Sequence, residues 1–247
     1  MLSIYPEKSF SLDIQYFYNK LRNNENFTFS KYADGEWSII QNLDINNKEF
    51  WFDSKDPNDQ TRRERLIESF VYKHDQYYVG ISCPCCQGLD TFRHMLTMSN
   101  QPDDKITWAN IWVNSNYPYY LSNIIPLYRK RNTVLCCNDK AIISNLPFKP
   151  KNVFYVKNNA WKYNWGLIEE CKMYIQLNQI KDYVFLFCCG PFGNIICHKL
   201  TEFDNRNTYI DIGSTLNPFL LSSEFDRHYY SGDNMYSRLT CTWGKKQ

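Results

Sequence analysis

A chain of 247 residues is long enough to bury well over half of its extended-state surface without disulfide staples, and 43% hydrophobic with 22% charged residues excludes a disordered chain, a collagen-like fibre and a coiled coil. With 28 Lys and Arg against 26 Asp and Glu, the formal net charge of +2 is too small to draw the chain to nucleic acid or to an anionic membrane by charge alone. Aromatic residues reach 17%. Their faces suit base or sugar stacking, but A/T-rich codon usage gives the same excess without a function, so position must decide.

Taken in chain order, short β-rich runs predict strands over 27–32, 77–82, 106–113, 133–137, 153–156, 183–188 and 208–212. Helical periodicity predicts helices over 11–23, 60–72, 89–99, 119–130, 161–178 and 192–202. This alternation is that of an α/β protein: a single Rossmann-like domain over residues 1–247, with a mainly parallel sheet flanked by helices. The polar stretches 53–65 and 114–118 read as loops. Open α/β sheets bind ligands at the carboxyl ends of their strands, so motifs that follow a strand carry the most weight.

The first such motif is Phe29-Ser30-Lys31-Tyr32-Ala33-Asp34-Gly35-Glu36-Trp37. Asp34 and Glu36 flank a glycine that permits a tight turn, so both carboxylates can converge on a hard cation while Gly35 leaves room for a diphosphate. The plainer alternative is a solvated turn with Glu36 as an early-helix carboxylate favoured by the helix dipole. The second motif is a buried strand running into Gly190-Pro191-Phe192-Gly193, whose free backbone N–H groups suit an anion. It lacks the Lys-Ser/Thr of a P-loop and the three-glycine dinucleotide pattern, and Pro191 also fits an ordinary helix start. The third places Asp211 at the end of the last strand beside Gly213 and Ser214. There it can orient an acceptor hydroxyl, take its proton or bind a ribose; equally it can be a structural Asp held by backbone N–H groups. Asp53, Asp56, Glu224 and Asp226 are the reserve acids.

Ten cysteines include the adjacent pairs Cys85-Cys86, Cys136-Cys137 and Cys188-Cys189, which bridge only with strain. Reduced thiols and a cytoplasmic location are expected, with no secretory leader in the opening residues. Cys83-Pro84-Cys85-Cys86 holds one C-x-x-C spacing. Zinc needs four ligands, and no second C-x-x-C or spaced Cys/His pair follows, so zinc and redox roles stay behind ordinary thiols. His74, His94, His198 and His228 form no spaced pair, and no Gly-x-Ser-x-Gly elbow points to a hydrolase. No apolar run approaches the ~20 residues that span a bilayer, which leaves only peripheral membrane contact open.

In order, the segment from Phe29 to Trp37, Lys157-Asn158-Asn159-Ala160-Trp161, Gly190-Pro191 and Asp211-Ile212-Gly213 resembles the GT-D-fold glycosyltransferases, a bacterial family first known as a domain of unknown function. That family's pattern is Arg-Tyr/Phe-Gly-Asp-Gly-Glu, a later Asn-Ala segment, a Gly-Pro strand end and an Asp-Ile-Gly-His strand. Here Lys31 stands for the Arg, Ala33 for the first Gly and Ser214 for the His. Lys31 keeps the charge without the bidentate fork, and the missing imidazole leaves Asp211 as the stronger proton acceptor.

The resemblance implies an inverting transfer from a nucleotide-diphosphate sugar, expected to be a UDP-sugar, to a glycan or glycoconjugate hydroxyl. It implies Asp34 and Glu36 as ligands of Mn²⁺ or Mg²⁺, and Lys31 near the phosphates. Gly35, Asn158, Asn159, Gly190 and Pro191 would shape the donor site, with Trp161 beside it, and Asp211 would activate the acceptor. Two rivals remain: a catalytically silent nucleotide- or carbohydrate-binding protein of the same fold, and a small zinc or redox protein built on Cys83 to Cys86.

Overall fold

The computed structural model describes residues 8–221 and 240–243, and in them the strand-forming runs settle into a seven-stranded sheet and a separate two-stranded hairpin. The strands are β1 Thr28–Tyr32, β2 Ile45–Asn46, β3 Trp51–Phe52, β4 Tyr77–Ile81, β5 Ile106–Trp108, β6 Thr133–Asn138, β7 Asn152–Val156, β8 Val184–Phe187 and β9 Thr208–Asp211. The helices are α1 Phe10–Arg22, α2 Asp34–Ile40, α3 Pro57–Val71, α4 Pro84–Gln87, α5 Leu89–Ser99, α6 Tyr117–Tyr119, α7 Ile125–Lys130, α8 Ala160–Tyr163, α9 Leu167–Leu177, α10 Pro191–Phe203 and α11 Asn217–Leu220. Sheet order is β5-β4-β1-β9-β8-β6-β7, parallel at every pairing. The chain leaves β1 towards β4 and later returns on the other side at β9, so the strand order switches direction between β1 and β9. In an open α/β sheet that switch opens a crevice at the carboxyl edge.

Alternation along the central strand assigns its two faces. Phe27 and Phe29 meet α1, whose Phe10, Ile14, Phe17 and Leu21 recur at helical spacing and are buried. Ring centroids of Phe17 lie 5.2 Å from Phe27, 5.7 Å from Phe29, 5.2 Å from Tyr78 and 5.6 Å from Trp112. On the opposite face, Thr28 and Ser30 meet α10 with small polar groups, which lets the helix come close. The Thr28 and Thr201 hydroxyls are 2.6 Å apart, and the Asn194 amide donates to Ser30 Oγ at 3.1 Å and to the Lys31 carbonyl at 2.6 Å. Nearly all of α10 is buried, as expected of a helix packed between a sheet and two helix neighbours, α3 and α9.

Four sequence expectations need correction. The stretch expected as a loop over 114–118 is a 3-10 turn over Asn114–Asn116 that runs into α6, with Pro118 in the helix's first turn. The stretch expected as a loop over 53–65 becomes helix from Pro57, because Asp56 caps it by accepting the Asn58 N–H and Pro57 occupies the first turn. Asp59 in its first turn is fully buried between Arg62 at 2.7 Å and Lys162 at 2.6 Å, and it accepts the Asp53 N–H. The expected strand over 106–113 ends at Trp108, after which Trp112 serves as a core anchor within turns. The expected helix over 161–178 divides into α8 and α9 around Asn164–Gly166. The hairpin β2–β3 has strands of two residues each, too short to leave a periodic signal.

Phe17 sits where its ring contacts with Phe27, Phe29, Tyr78, Trp112 and Tyr16 converge, so Phe17→Ala is expected to cost about 3–5 kcal/mol of unfolding free energy with no change in denaturant slope. Urea denaturation measures both; a loss below about 1 kcal/mol would mean that the α1 face carries little of the core.

Candidate active site

The carboxyl ends of β1, β6, β7, β8 and β9 and the turn of the β2–β3 hairpin enclose a cavity of about 510 Å³. This volume is in the range of small-ligand sites, ~300–1,000 Å³. Lys31, Asp34, Gly35, Glu36, Asn158, Asn159, Gly190 and Asp211 all line it. Pro191 does not: it is buried in the first turn of α10, where it starts the helix. A shallower depression of about 840 Å³ near Tyr72, His74 and Arg206 lies at the amino edge of the sheet, away from the strand ends that carry the motifs.

Asp211 ends β9 and is 2% exposed. Its Oδ1 accepts the Gly213 N–H at 3.1 Å. Burial pushes its carboxyl up to about 7; Lys31 opposes this, Glu36 adds to it, and backbone N–H groups of Gly213 and Lys31 favour the charged form. The carboxylate abuts Gly193 of α10, where a Cβ would lie 3.1 Å from Asp211 Cγ. Lys31 links this acid to the other motif, with Nζ 3.9 Å from Glu36 Oε2 and its alkyl chain along Gly213.

Asp34 is the exposed first residue of α2, whereas Glu36 is buried. Glu36 reaches back to accept the Ala33 N–H at 2.9 Å, which is half of a capping box, because Ala33 has no side-chain acceptor to return the bond. The plainer role foreseen for Glu36 is therefore present. It does not exhaust the group, since a carboxylate offers about four acceptor positions.

The hairpin roofs the site. Asn47 Oδ1 accepts the N–H groups of Glu49 and Phe50, which fixes the turn. Asn159, in a left-handed conformation at φ 56°, bonds Trp51 through both its amide oxygen and nitrogen at 3.4 Å, and its backbone N–H donates to the Glu49 carbonyl. Asn159 thus clamps the hairpin to the sheet, while Asn158 joins Asn138 at 2.8 Å to the Lys48 carbonyl at 3.2 Å. Trp161 is fully buried, contacts Phe52 and donates to the Trp51 carbonyl; it is core, not a stacking platform. The lining ring is Phe50, which lies over both glycine turns: a Cβ at Gly35 would meet its Cζ at 2.7 Å, and one at Gly190 its Cδ1 at 3.4 Å. Gly190 is also at φ 57° and ψ −146°, a conformation reserved for glycine.

Lys48, Lys140 and Lys157 join Lys31 in the cavity wall. Lys48 and Lys140 lie in an unforeseen hairpin and in the turn after β6, and no local motif marks them. Of the reserve acids, Asp53 and Asp56 serve turn and cap bonds around α3 and do not line the cavity, while Glu224 and Asp226 lie outside the described residues, as does His228. Among the described residues, the one group of three or more His, Cys, Asp or Glu ligands able to surround a metal lies elsewhere, at Cys83, Cys85, Cys86 and Cys241. Asp34 and Glu36 both line the cavity, and Mg²⁺ sites commonly use one or two carboxylates with the remaining oxygens drawn from bound phosphate and water.

No protein-family model matches the chain, and no curated protein does. Solved structures do: a selenomethionine-substituted structure of domain of unknown function 1792, and a structure of that domain described as having a distinct glycosyltransferase fold. Each superposes at a TM-score of 0.57 with 14% identity, over 82% of this chain and 77% of the other. The chain has that glycosyltransferase fold, in agreement with the resemblance read from the order of its motifs.

Raising a buried acid above its ordinary value has a defined sign. The folded state holds the Asp211 proton more tightly than the unfolded chain, so this contribution to stability is complete below the ordinary value of 3.8 and is lost as pH rises through about 7. Asp211→Asn is expected to remove that loss. The melting temperature of the variant minus that of wild type should climb between pH 4 and pH 7 and then level off. A flat difference would mean that Asp211 keeps an ordinary carboxylate.

Proposed function

We propose that the protein transfers a sugar from a nucleotide-diphosphate sugar, a UDP-sugar by preference, to a hydroxyl of a glycan or glycoconjugate, with inversion at the anomeric carbon. The observation that carries this reading is Asp211: a buried carboxyl near neutrality, at the switch point of a glycosyltransferase fold, facing a cavity walled by lysines. A general base works best when its pKa is close to the working pH, and burial supplies that condition here.

In this mechanism Asp211 accepts the proton of the acceptor hydroxyl as its oxygen bonds to the anomeric carbon. The sugar–phosphate bond breaks on the opposite side, and its electron pair leaves with the nucleoside diphosphate. Lys31, Lys48, Lys140 and Lys157 offset the charge that gathers on the departing diphosphate. Asp34 and Glu36 would hold Mn²⁺ or Mg²⁺, which supplies further neutralisation of the phosphate oxygens. Gly190 presents no side chain where the turn before α10 lines the cavity, and Asn158 and Asn159 fix the hairpin above the donor. On this reading the protein works in a reducing compartment such as the cytoplasm, where thiols persist unbridged. No described helix is long and apolar enough to cross a membrane, so an acceptor on a membrane would be reached from its surface.

Two expected outcomes test the assignment. Asp211→Asn should lower transfer by ~10²- to 10⁴-fold while donor affinity stays within a few-fold, and the wild-type rate should rise with pH through about 7. Unchanged transfer in a folded variant would remove Asp211 from the reaction. Separately, Glu36→Gln keeps a carbonyl oxygen for the Ala33 cap but loses the charge, so a metal role predicts a large fall in transfer and in metal-dependent donor binding without a lower melting temperature. If Glu36→Gln and Asp34→Asn both retain wild-type transfer, the turn is structural. A silent binding protein would bind the donor yet release no nucleoside diphosphate from it, with or without Mn²⁺.

A further inference from the structure

The C-x-x-C segment has no second pair nearby in sequence, but the fold provides what spacing withholds. Cys83 caps α4 directly after β4, Cys85 and Cys86 follow within that short helix, and Cys241 comes to it from 155 positions beyond Cys86. The four sulfurs all lie within 4.8 Å of one another, with Cys83 to Cys85 at 3.1 Å and Cys86 to Cys241 at 3.9 Å. A tetrahedron of thiolates with Zn–S of about 2.3 Å has sulfur–sulfur edges of ~3.8 Å, which these distances bracket. Sulfurs gathered this closely surround one ion and leave no room for a polynuclear cluster.

The surroundings suit thiolates. The Asn110 amide points to Cys86 Sγ, the Asn114 amide to Cys241 Sγ and the Thr242 N–H to Cys85 Sγ, each at 3.4 Å. Such N–H···S donors from outside the ligand set orient metal thiolates and spread their charge. A redox C-x-x-C pair needs two sulfurs and access to a partner; here Cys83 and Cys241 are buried, and two further thiols complete a closed set. None of the four lines the cavity at the strand ends, so the group is separate from the proposed transfer chemistry.

From this geometry we infer that Cys83, Cys85, Cys86 and Cys241 bind one structural Zn²⁺ ion. The ion fastens residues 240–243 to the end of β4. Trp243 is seated beside it, with its ring 4.7 Å from Phe92 and 5.0 Å from Trp108, and its backbone bridges to Lys8, so the metal also secures where the first described residues meet the last. A closed set of four thiolates leaves no open position for substrate, which makes the role architectural.

The test uses the full chain, without a metal-binding tag, purified under reducing conditions from zinc-supplemented cells. Elemental analysis is expected to find about one zinc per chain, and strong chelators should lower the melting temperature. Cys241→Ser and, at the exposed position, Cys85→Ser should each lose most of the zinc, whereas Cys171→Ala, in a buried thiol outside the group, should keep it. Exchange of zinc for Co²⁺ should give the intense visible bands and thiolate charge transfer of a tetrahedral sulfur site, and these should vanish in Cys85→Ser. Zinc below about one-tenth per chain even after zinc is added back would overturn the assignment. So would stoichiometric iron, a native disulfide among the four cysteines, or full zinc retention in both serine variants. These readouts do not depend on sugar transfer, so this site and the proposed reaction fail or stand separately.

Discussion

A methyl group at Gly193 would crowd the carboxylate of Asp211, with its carbon 3.1 Å from Cγ, and much of the site follows from that approach. A helix so near the ends of β1 and β9 excludes water from the acid and raises its proton affinity, with Lys31 as the counterweight. The same closeness requires small or polar residues on the strand face below. Ser30 and Thr28 provide them, and Asn194 ties helix to strand through Ser30 and the Lys31 carbonyl. Chemistry and packing are therefore not separable here. A bulkier residue at 193 would press on the Asp211 carboxylate itself, and the helix sets the surroundings of the acid.

The hairpin supplies the second constraint. It is held by an asparagine turn at its tip and by Asn159 at its base, and it sets Phe50 across the two glycine turns that a diphosphate would approach. Gly35 is thus crowded by an aromatic ring of the protein itself, whereas Gly190 is called for by its own backbone conformation at φ 57°. Lys48 and Glu49 on the same turn bring opposite charges to the cavity, so the roof contributes to the polarity of the site as well as to its shape.

Much of the fold was legible because a parallel sheet buried on both faces writes its inner strands as short apolar runs, as β4, β6 and β8 do. What escaped had physical reasons: two-residue strands carry no period, and Trp108 and Trp112 read as strand although only the first is in one. At the site, Asp34, Glu36, Gly190 and Asp211 were visible because each ends or follows a strand. The capping bond of Glu36, the clamp formed by Asn159 and the burial of Trp161 were not, since each depends on a partner distant in sequence. The aromatic excess proved to be mostly core: Trp108, Trp112, Trp161 and Tyr120 are among the largest fully buried side chains. Cys241 illustrates the same limit, because spacing rules see ligands only when they are neighbours in the chain.

The order of the sheet also dictates when it can be completed. β1 precedes the other six strands of the sheet in the chain, and one of its edges is satisfied by β4. Its other edge waits for β9, with Thr28 pairing to Tyr209 and Phe29 to Ile210, so the backbone groups on that side stay open until the other strands of the sheet have been made. Such long-range parallel pairing is slow, and an uncovered central strand is sticky. The acid that ends β9 is thus set in position only by the closing step of assembly: a truncated or stalled chain would present an unclosed sheet with no Asp211 at its crevice.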